Sequence, residues 1–236
     1  MLALKAIDAD RLSSIQQRLA GSGRAQIKDL LTEESATELF EKASVAPFNV
    51  VSRKSDGHMD MSAQWLDMLN PGQKQSLAQA IQSAAQTDFQ YLYDNFPLYD
   101  AVQAGNADPF WASVLAFLNS DAFLGLARSV TGEARIAMAD AQLTRFRRGH
   151  FLSEHDDQAE GKQRYYAYVL NLTPAWKIDW GGLLAFHGED GNVSEAFTPS
   201  FNTLNLLQVP AAHSVTQVAL SAGGHRLSIT GWLRGR

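Results

Sequence analysis

Cysteine is absent from the 236 residues. That excludes disulfides, thiolate nucleophiles and cysteine-built zinc sites, and it fits a reducing compartment. An excess of positive charge is missing as well: 20 lysines and arginines stand against 25 acids, for a net charge of -5. Such a surface offers nucleic acid no basic stripe. Long apolar runs are also lacking, since no stretch approaches the roughly 18 uninterrupted apolar residues of a membrane helix. Lys5, Asp8, Asp10 and Arg11 break up any apolar core of a signal peptide near the start. What is present is a composition of 45% hydrophobic and 19% charged residues, ordinary for a globular protein and unlike a disordered one. The expectation is a cytoplasmic protein with neither nucleic acid nor membrane as partner; the sequence sets no oligomeric state.

The first half reads as helices. Thr32, Asn70-Pro71, Asp108-Pro109 and Ser120-Asp121 are start signals. Each precedes apolar residues at helical spacing: Ala36, Leu39, Phe40 and Ala43; Leu77, Ile81 and Ala84 running toward Phe89; Trp111, Val114, Leu115 and Leu118; Phe123, Leu124 and Ala127. Between them, Phe48–Val51 reads as a strand and Ser52–His58 as a polar loop. From about Ala134 the pattern becomes short runs with turn punctuation, at Ile136–Phe146, Tyr165–Leu172, Gly182–Phe186, Phe201–Leu207, Ser214–Val218 and Arg226–Trp232. No repeat, low-complexity tract or linker divides the chain. The expected fold is α+β in one domain over 1–236: a mostly helical part to about residue 130, packed on one outer sheet of a jelly roll or barrel over 131–236.

Two histidines and a carboxylate carry the chemistry. His155 and Asp157 lie two apart, and in an extended segment they would share a face while Asp156 points away. Asp156 would serve only if the segment turned. His213 follows Pro210-Ala211-Ala212 at a strand start. Two neutral imidazoles and one carboxylate suit a divalent iron and leave coordination positions open for oxygen and a co-substrate. Arg226 then opens a strand on which Ser228, Thr230 and Trp232 share its face, with Leu227 and Ile229 on the other. An arginine directed into a barrel needs an anion, and a dicarboxylic co-substrate would supply one in bidentate geometry. His58, His150, His187 and His225 have no partners at useful spacing and read as structural.

Phe146–Asp157, Tyr168–Asn171, Gly181–Phe186 and His225–Trp232 together resemble the prolyl hydroxylase-like 2-oxoglutarate/Fe(II) dioxygenases, nearest the ribosomal-protein prolyl hydroxylase branch. The resemblance covers 141–236 and is weak over the N-terminal half. It implies a double-stranded β-helix with iron on His155, Asp157 and His213, the three catalytic ligands. It also implies 2-oxoglutarate held by Arg226 with Ser228 as hydroxyl donor, O2 as second co-substrate, and ascorbate as an optional accessory. The implied reaction is hydroxylation of an unactivated C–H with release of succinate and carbon dioxide. Two departures stand out. The family often has tyrosine where this chain has Phe146, whose ring cannot donate, so either Tyr166, Tyr168, Thr144 or Gln142 compensates or the contact is absent. Arg226 also follows His213 by thirteen residues, a long gap for the family.

The substrate the resemblance implies is a prolyl residue of a protein or peptide. A free amino acid or other small molecule is the enzymatic alternative, and a non-catalytic metal-binding jelly-roll module the alternative of another class. A cupin-type enzyme would show closely spaced histidines with a nearby glutamate, which this sequence lacks. Trp176, Trp180 and the polar segment Ser52–Asp60 are candidate rim and lid elements. Arg145, Arg147 and Arg148 form a small basic cluster beside the metal strand.

Overall fold

The computed structural model describes residues 2–54 and 57–235. In chain order its elements are α1 (Ala9–Ser22), β1 (Arg24–Lys28), α2 (Glu33–Ser44), β2 (Asn49–Lys54), β3 (Gly57–Met61), α3 (Ala63–Met68), α4 (Pro71–Ala84) and β4 (Tyr91–Phe96). Then come α5 (Leu98–Gln103), α6 (Pro109–Leu118), α7 (Asp121–Thr131), β5 (Met138–Ala139), β6 (Gln142–Phe146), β7 (Phe151–His155) and β8 (Arg164–Asn171). The chain closes with β9 (Leu184–His187), β10 (Val193–Phe197), β11 (Thr203–Gln208), β12 (His213–Val215) and β13 (Arg226–Arg234). Strands pair antiparallel in the order β1-β11-β8-β13-β6-β4-β7-β12-β9-β10, with β2 on β4, β3 on β2 and β5 on β13. This curled sheet, with helices on one face, is the α+β jelly roll expected from the sequence.

Period-2 alternation builds its two layers. Tyr168 and Leu170 of β8 join Leu227, Ile229 and Leu233 of β13 in a core shared with Leu39, Val114, Leu118 and Phe123 of the helices. Ala167 and Val169 point the opposite way and pack with Leu184, Phe186, Phe197 and Leu207 inside the roll. Each large apolar side chain buried this way contributes about 1.5–3 kcal/mol. The four expected helix starts hold: the side chains of Thr32, Asn70, Asp108 and Ser120 each accept a backbone N–H of the first turn. Pro109–Thr131 has the length and apolarity of a membrane span. It is nevertheless two helices, interrupted at Asn119 and Ser120, whose Trp111, Val114, Phe123 and Leu124 are buried in the core.

Several expectations need correction. Ser52–His58 is no loop: the pairing runs on to Arg53↔His58 and Lys54↔Gly57 in a β2–β3 hairpin. Its tip at residues 55 and 56 lies outside the described residues. The hairpin's polar side chains hid it, because its backbone pairing has no apolar stripe to announce it. The helix from Asn70 stops at Ala84 rather than running toward Phe89. The run 136–146 is broken between Ala139 and Gln142, where Asp140 takes the Trp232 N–H on its side chain. Strands β1 and β4 were not expected at all. β4 (YLYDNF) buries Asp94 and Asn95, which erases the alternation that marks a strand.

Candidate metal centre and co-substrate cavity

β7 and β12 are neighbours, and the register sets His155 directly opposite His213. Their rings lie 4.1 Å apart. Asp157 reaches them by a different route from alternation. β7 ends at His155, and Asp157 adopts φ 64, the left-handed region that aspartate tolerates better than most residues. Arg164 Nη1 donates to the Asp157 carbonyl at 2.9 Å and pins this turn. The segment does turn, yet the carboxylate it brings to the histidines is Asp157. Asp156 accepts the Gln158 N–H at 3.0 Å instead.

Asp157 Oδ1 sits 3.6 Å from His155 Nε2, and Oδ2 sits 3.4 Å from His213 Nε2. One ligand atom from each of the three lies within 4.8 Å of the others. His155 Nδ1 is 3.0 Å from the Ser153 carbonyl and His213 Nδ1 is 2.6 Å from the Ala211 carbonyl. A carbonyl only accepts, so both Nδ1 atoms carry the proton and both Nε2 lone pairs face Asp157. Burial, reinforced by the neighbouring His155, holds the His213 ring below the usual imidazole range, in the neutral ligating form. Two neutral Nε2 donors and a carboxylate are a fitting set for Fe(II).

Arg226 opens β13 opposite Phe146 of β6. Only 2% exposed, it is the largest side chain buried so completely. Its Nη1 donates to the Gly182 carbonyl at 3.0 Å, its guanidinium lies 5.2 Å over the Phe146 ring, and Nε has no partner. Among the described residues no carboxylate pairs with it. Burial pushes its pKa down to about 10, so it stays charged at neutral pH. The Gly181-Gly182 turn makes the seat. Both residues have positive φ, and a Cβ on Gly182 would stand 3.1 Å from Val218 and 3.2 Å from Trp176.

One cavity of about 390 Å³ is lined by His155, Asp157, His213 and Arg226 together, with Tyr91, Tyr93, Gln142, Thr144 and Phe146 on its walls. Ser228 is not on its walls: fully buried, it hydrogen-bonds at 2.9 Å to Thr144, which is. Trp176 and Trp180 are no outer rim. They stack edge to face behind Arg226, with Trp176 Nε1 donating to the Gly181 carbonyl. Arg145 and Arg147 both pair with the buried Asp94, and Arg148 donates to the Ala222 carbonyl, so the basic cluster is internally engaged. His58 meets the Tyr91 hydroxyl at 2.8 Å, and His187 meets Glu154 and Ser214. Sequence reasoning missed Tyr93 and Arg164. The i, i+2 pair Tyr91/Tyr93 was the signal available for the first.

Paired imidazoles and a carboxylate at an open cavity, with an unpaired guanidinium on the same walls, describe a metal site able to orient a dianion. Residues 141–234 match the 2OG-Fe(II) oxygenase superfamily. The resemblance read from the sequence is thereby borne out over the segment that holds His155, Asp157, His213 and Arg226. The chain is 36% identical over 88 residues to the Xenopus laevis protein named prolyl 3-hydroxylase OGFOD1, covering 34% of this chain and 17% of that protein. The chain thus spans about a sixth of that relative's length. Among solved structures, a Pseudomonas putida prolyl-4-hydroxylase superposes with a TM-score of 0.59 at 20% identity, covering 95% of this chain and 99% of the other. A Trichoplax adhaerens prolyl hydroxylase, solved with a hypoxia inducible factor peptide, gives 0.59 at 15% identity over 97% and 94%. At these identities the superpositions establish the fold.

Proposed function

We propose that this chain is an Fe(II)- and 2-oxoglutarate-dependent dioxygenase, a single catalytic domain that hydroxylates a prolyl residue of a protein or peptide. The observation that carries the reading is the shared cavity, with a metal-competent triad and a buried, unpaired arginine on its walls. A non-catalytic metal-binding module would have no use for that arginine, whose burial without an anion is costly.

When bound, Fe(II) would let O2 decarboxylate 2-oxoglutarate oxidatively to succinate and carbon dioxide, one oxygen atom entering succinate and the other the substrate C–H, with the iron retained. The chain's residues do the rest. His155, Asp157 and His213 hold the metal on one side, with ring orientations fixed by the Ser153 and Ala211 carbonyls. Arg226 neutralises the far carboxylate, with Thr144 presenting a hydroxyl beside it and Ser228 supporting Thr144. Phe146, Val169, Leu184 and Leu207 keep that part of the cavity apolar and exclude water. The prolyl substrate rests on the sequence likeness to a prolyl 3-hydroxylase, and the aromatic residues Phe89 and Tyr91 on the cavity wall offer a prolyl ring apolar faces.

The test is anaerobic. Purified protein is given Fe(II) and 2-oxoglutarate, and the weak visible charge-transfer band of the chelate is followed. We expect a band in the wild type and none in Asp157→Ala. A folded, iron-loaded wild type without the band sinks the reading. Candidate prolyl peptides then address the substrate, and succinate release without any peptide hydroxylation turns attention to small molecules.

A further inference from the structure

The hydroxyls around the cavity can be accounted for one by one. Tyr91 is engaged by His58 at 2.8 Å. Thr144 and Ser228 share a hydrogen bond at 2.9 Å. Tyr168, one of the residues that might have compensated for Phe146, donates to the Asp140 carbonyl at 2.7 Å and is fully buried. Tyr166 packs into the core shared with the helices, so it too is out of place for that role. Thr230 lines the cavity four residues along β13 from Arg226, beside Trp232.

Tyr93 differs from all of these. Its ring stacks on Phe146 with centroids 5.1 Å apart and planes at 21°, and Phe146 carries the Arg226 guanidinium at 5.2 Å. The three groups therefore form one continuous wall. Gln142 hydrogen-bonds the Tyr93 side chain, and the phenol lies near enough to Asp157 to feel its charge. A primary amide can donate to a phenol oxygen, which leaves the phenol proton free for another acceptor. Burial raises the Tyr93 pKa well above the usual phenol value, so the group is a donor at every physiological pH. A half-buried donor on a cavity wall calls for an acceptor.

We propose that the Tyr93 hydroxyl donates to the metal-side carboxylate of bound 2-oxoglutarate, supplying from β4 the hydroxyl that Phe146 on β6 lacks. Arg226 and Tyr93 then grip opposite ends of the same dianion across the Phe146 ring. The assignment rests on the dioxygenase reading above, and the experiment separates the two.

Tyr93→Phe removes one oxygen and keeps the stacked ring. Calorimetric titration of 2-oxoglutarate into Mn(II)-loaded protein should show its dissociation constant rising about tenfold, as for loss of one hydrogen bond to a charged group. Mn(II) affinity and the melting temperature should stay at wild-type values. The anaerobic Fe(II) chelate band should also shift in wavelength, a signature that a purely structural tyrosine would not move. Unchanged affinity and band in Tyr93→Phe overturn the role of Tyr93 while leaving the dioxygenase reading intact. Equal losses of metal and co-substrate overturn it too, by making Tyr93 a support of the fold. A wild type that binds no 2-oxoglutarate overturns both.

Discussion

Arg226 enters the roll with a full charge, one carbonyl and one aromatic face for company. A guanidinium desolvated to this degree is stabilised when an anion arrives, and a carboxylate can meet it bidentately. Arg226→Ala should therefore raise the apparent Michaelis constant for 2-oxoglutarate by about two orders of magnitude, as expected for two charge-assisted hydrogen bonds. Turnover at saturating co-substrate and Fe(II) affinity should change far less; steady-state kinetics beside a metal titration measures both. Equal loss of iron and co-substrate would mark Arg226 as structural. His155, His213 and Arg226 were legible as residues because spacing and face alternation pointed to them. Asp157 was legible too, but for a wrong physical reason: a left-handed turn, pinned by Arg164, delivers it.

At the scale of elements, the Gly181-Gly182 turn decides where Arg226 sits. A Cβ on Gly181 would fall 2.1 Å from the Gln217 carbonyl oxygen, and one on Gly182 would press on Val218 and Trp176. Gly182→Ala combines a positive φ with that crowding, so it should cost about 1–3 kcal/mol of stability and weaken 2-oxoglutarate binding. The metal triad, built on β7, the turn that follows it and β12, should keep its affinity. Denaturant unfolding and separate metal and co-substrate titrations give the answer, and uniform loss of both affinities would contradict the seat. β1 was hidden by its brevity, with only Ala25 and Ile27 buried between polar neighbours, and β4 by the polarity of what it buries. β4 carries Asp94, only 1% exposed, where Arg145 and Arg147 converge at 2.7 and 2.8 Å. A strand that buries a carboxylate presents no hydrophobic period to read. The helices opening at Thr32, Asn70, Asp108 and Ser120, by contrast, announced themselves through caps and apolar stripes, whereas α1, α3 and α5 did not.

For the molecule as a whole, His150 couples stability to pH. It is buried 4.0 Å from Asp94, and burial, partly opposed by that carboxylate, lowers its pKa to about 4. The unfolded chain takes up a proton near pH 6.5, whereas the folded one resists until about pH 4. Unfolding thus binds the additional proton, and stability must fall as the pH drops through that window, by about 3 kcal/mol in total. Urea midpoints between pH 7 and pH 4 should trace the decline, and His150→Gln should flatten it. A wild-type midpoint indifferent to pH in that range would remove His150 as the cause.

The position of β4 between β6 and β7 in the sheet has a consequence for how such a protein can diversify. Phe89, Tyr91 and Tyr93 wall the cavity from a stretch that precedes residue 141, while the metal ligands and Arg226 all follow it. Two separate tracts of gene therefore encode one chamber. The later tract is constrained by coordination geometry. The earlier one supplies Phe89, whose ring lies 5.7 Å from that of His155, and Tyr93, stacked on Phe146. A change there reaches the metal site and the co-substrate seat as well as the cavity wall, so selectivity and reactivity are inherited together.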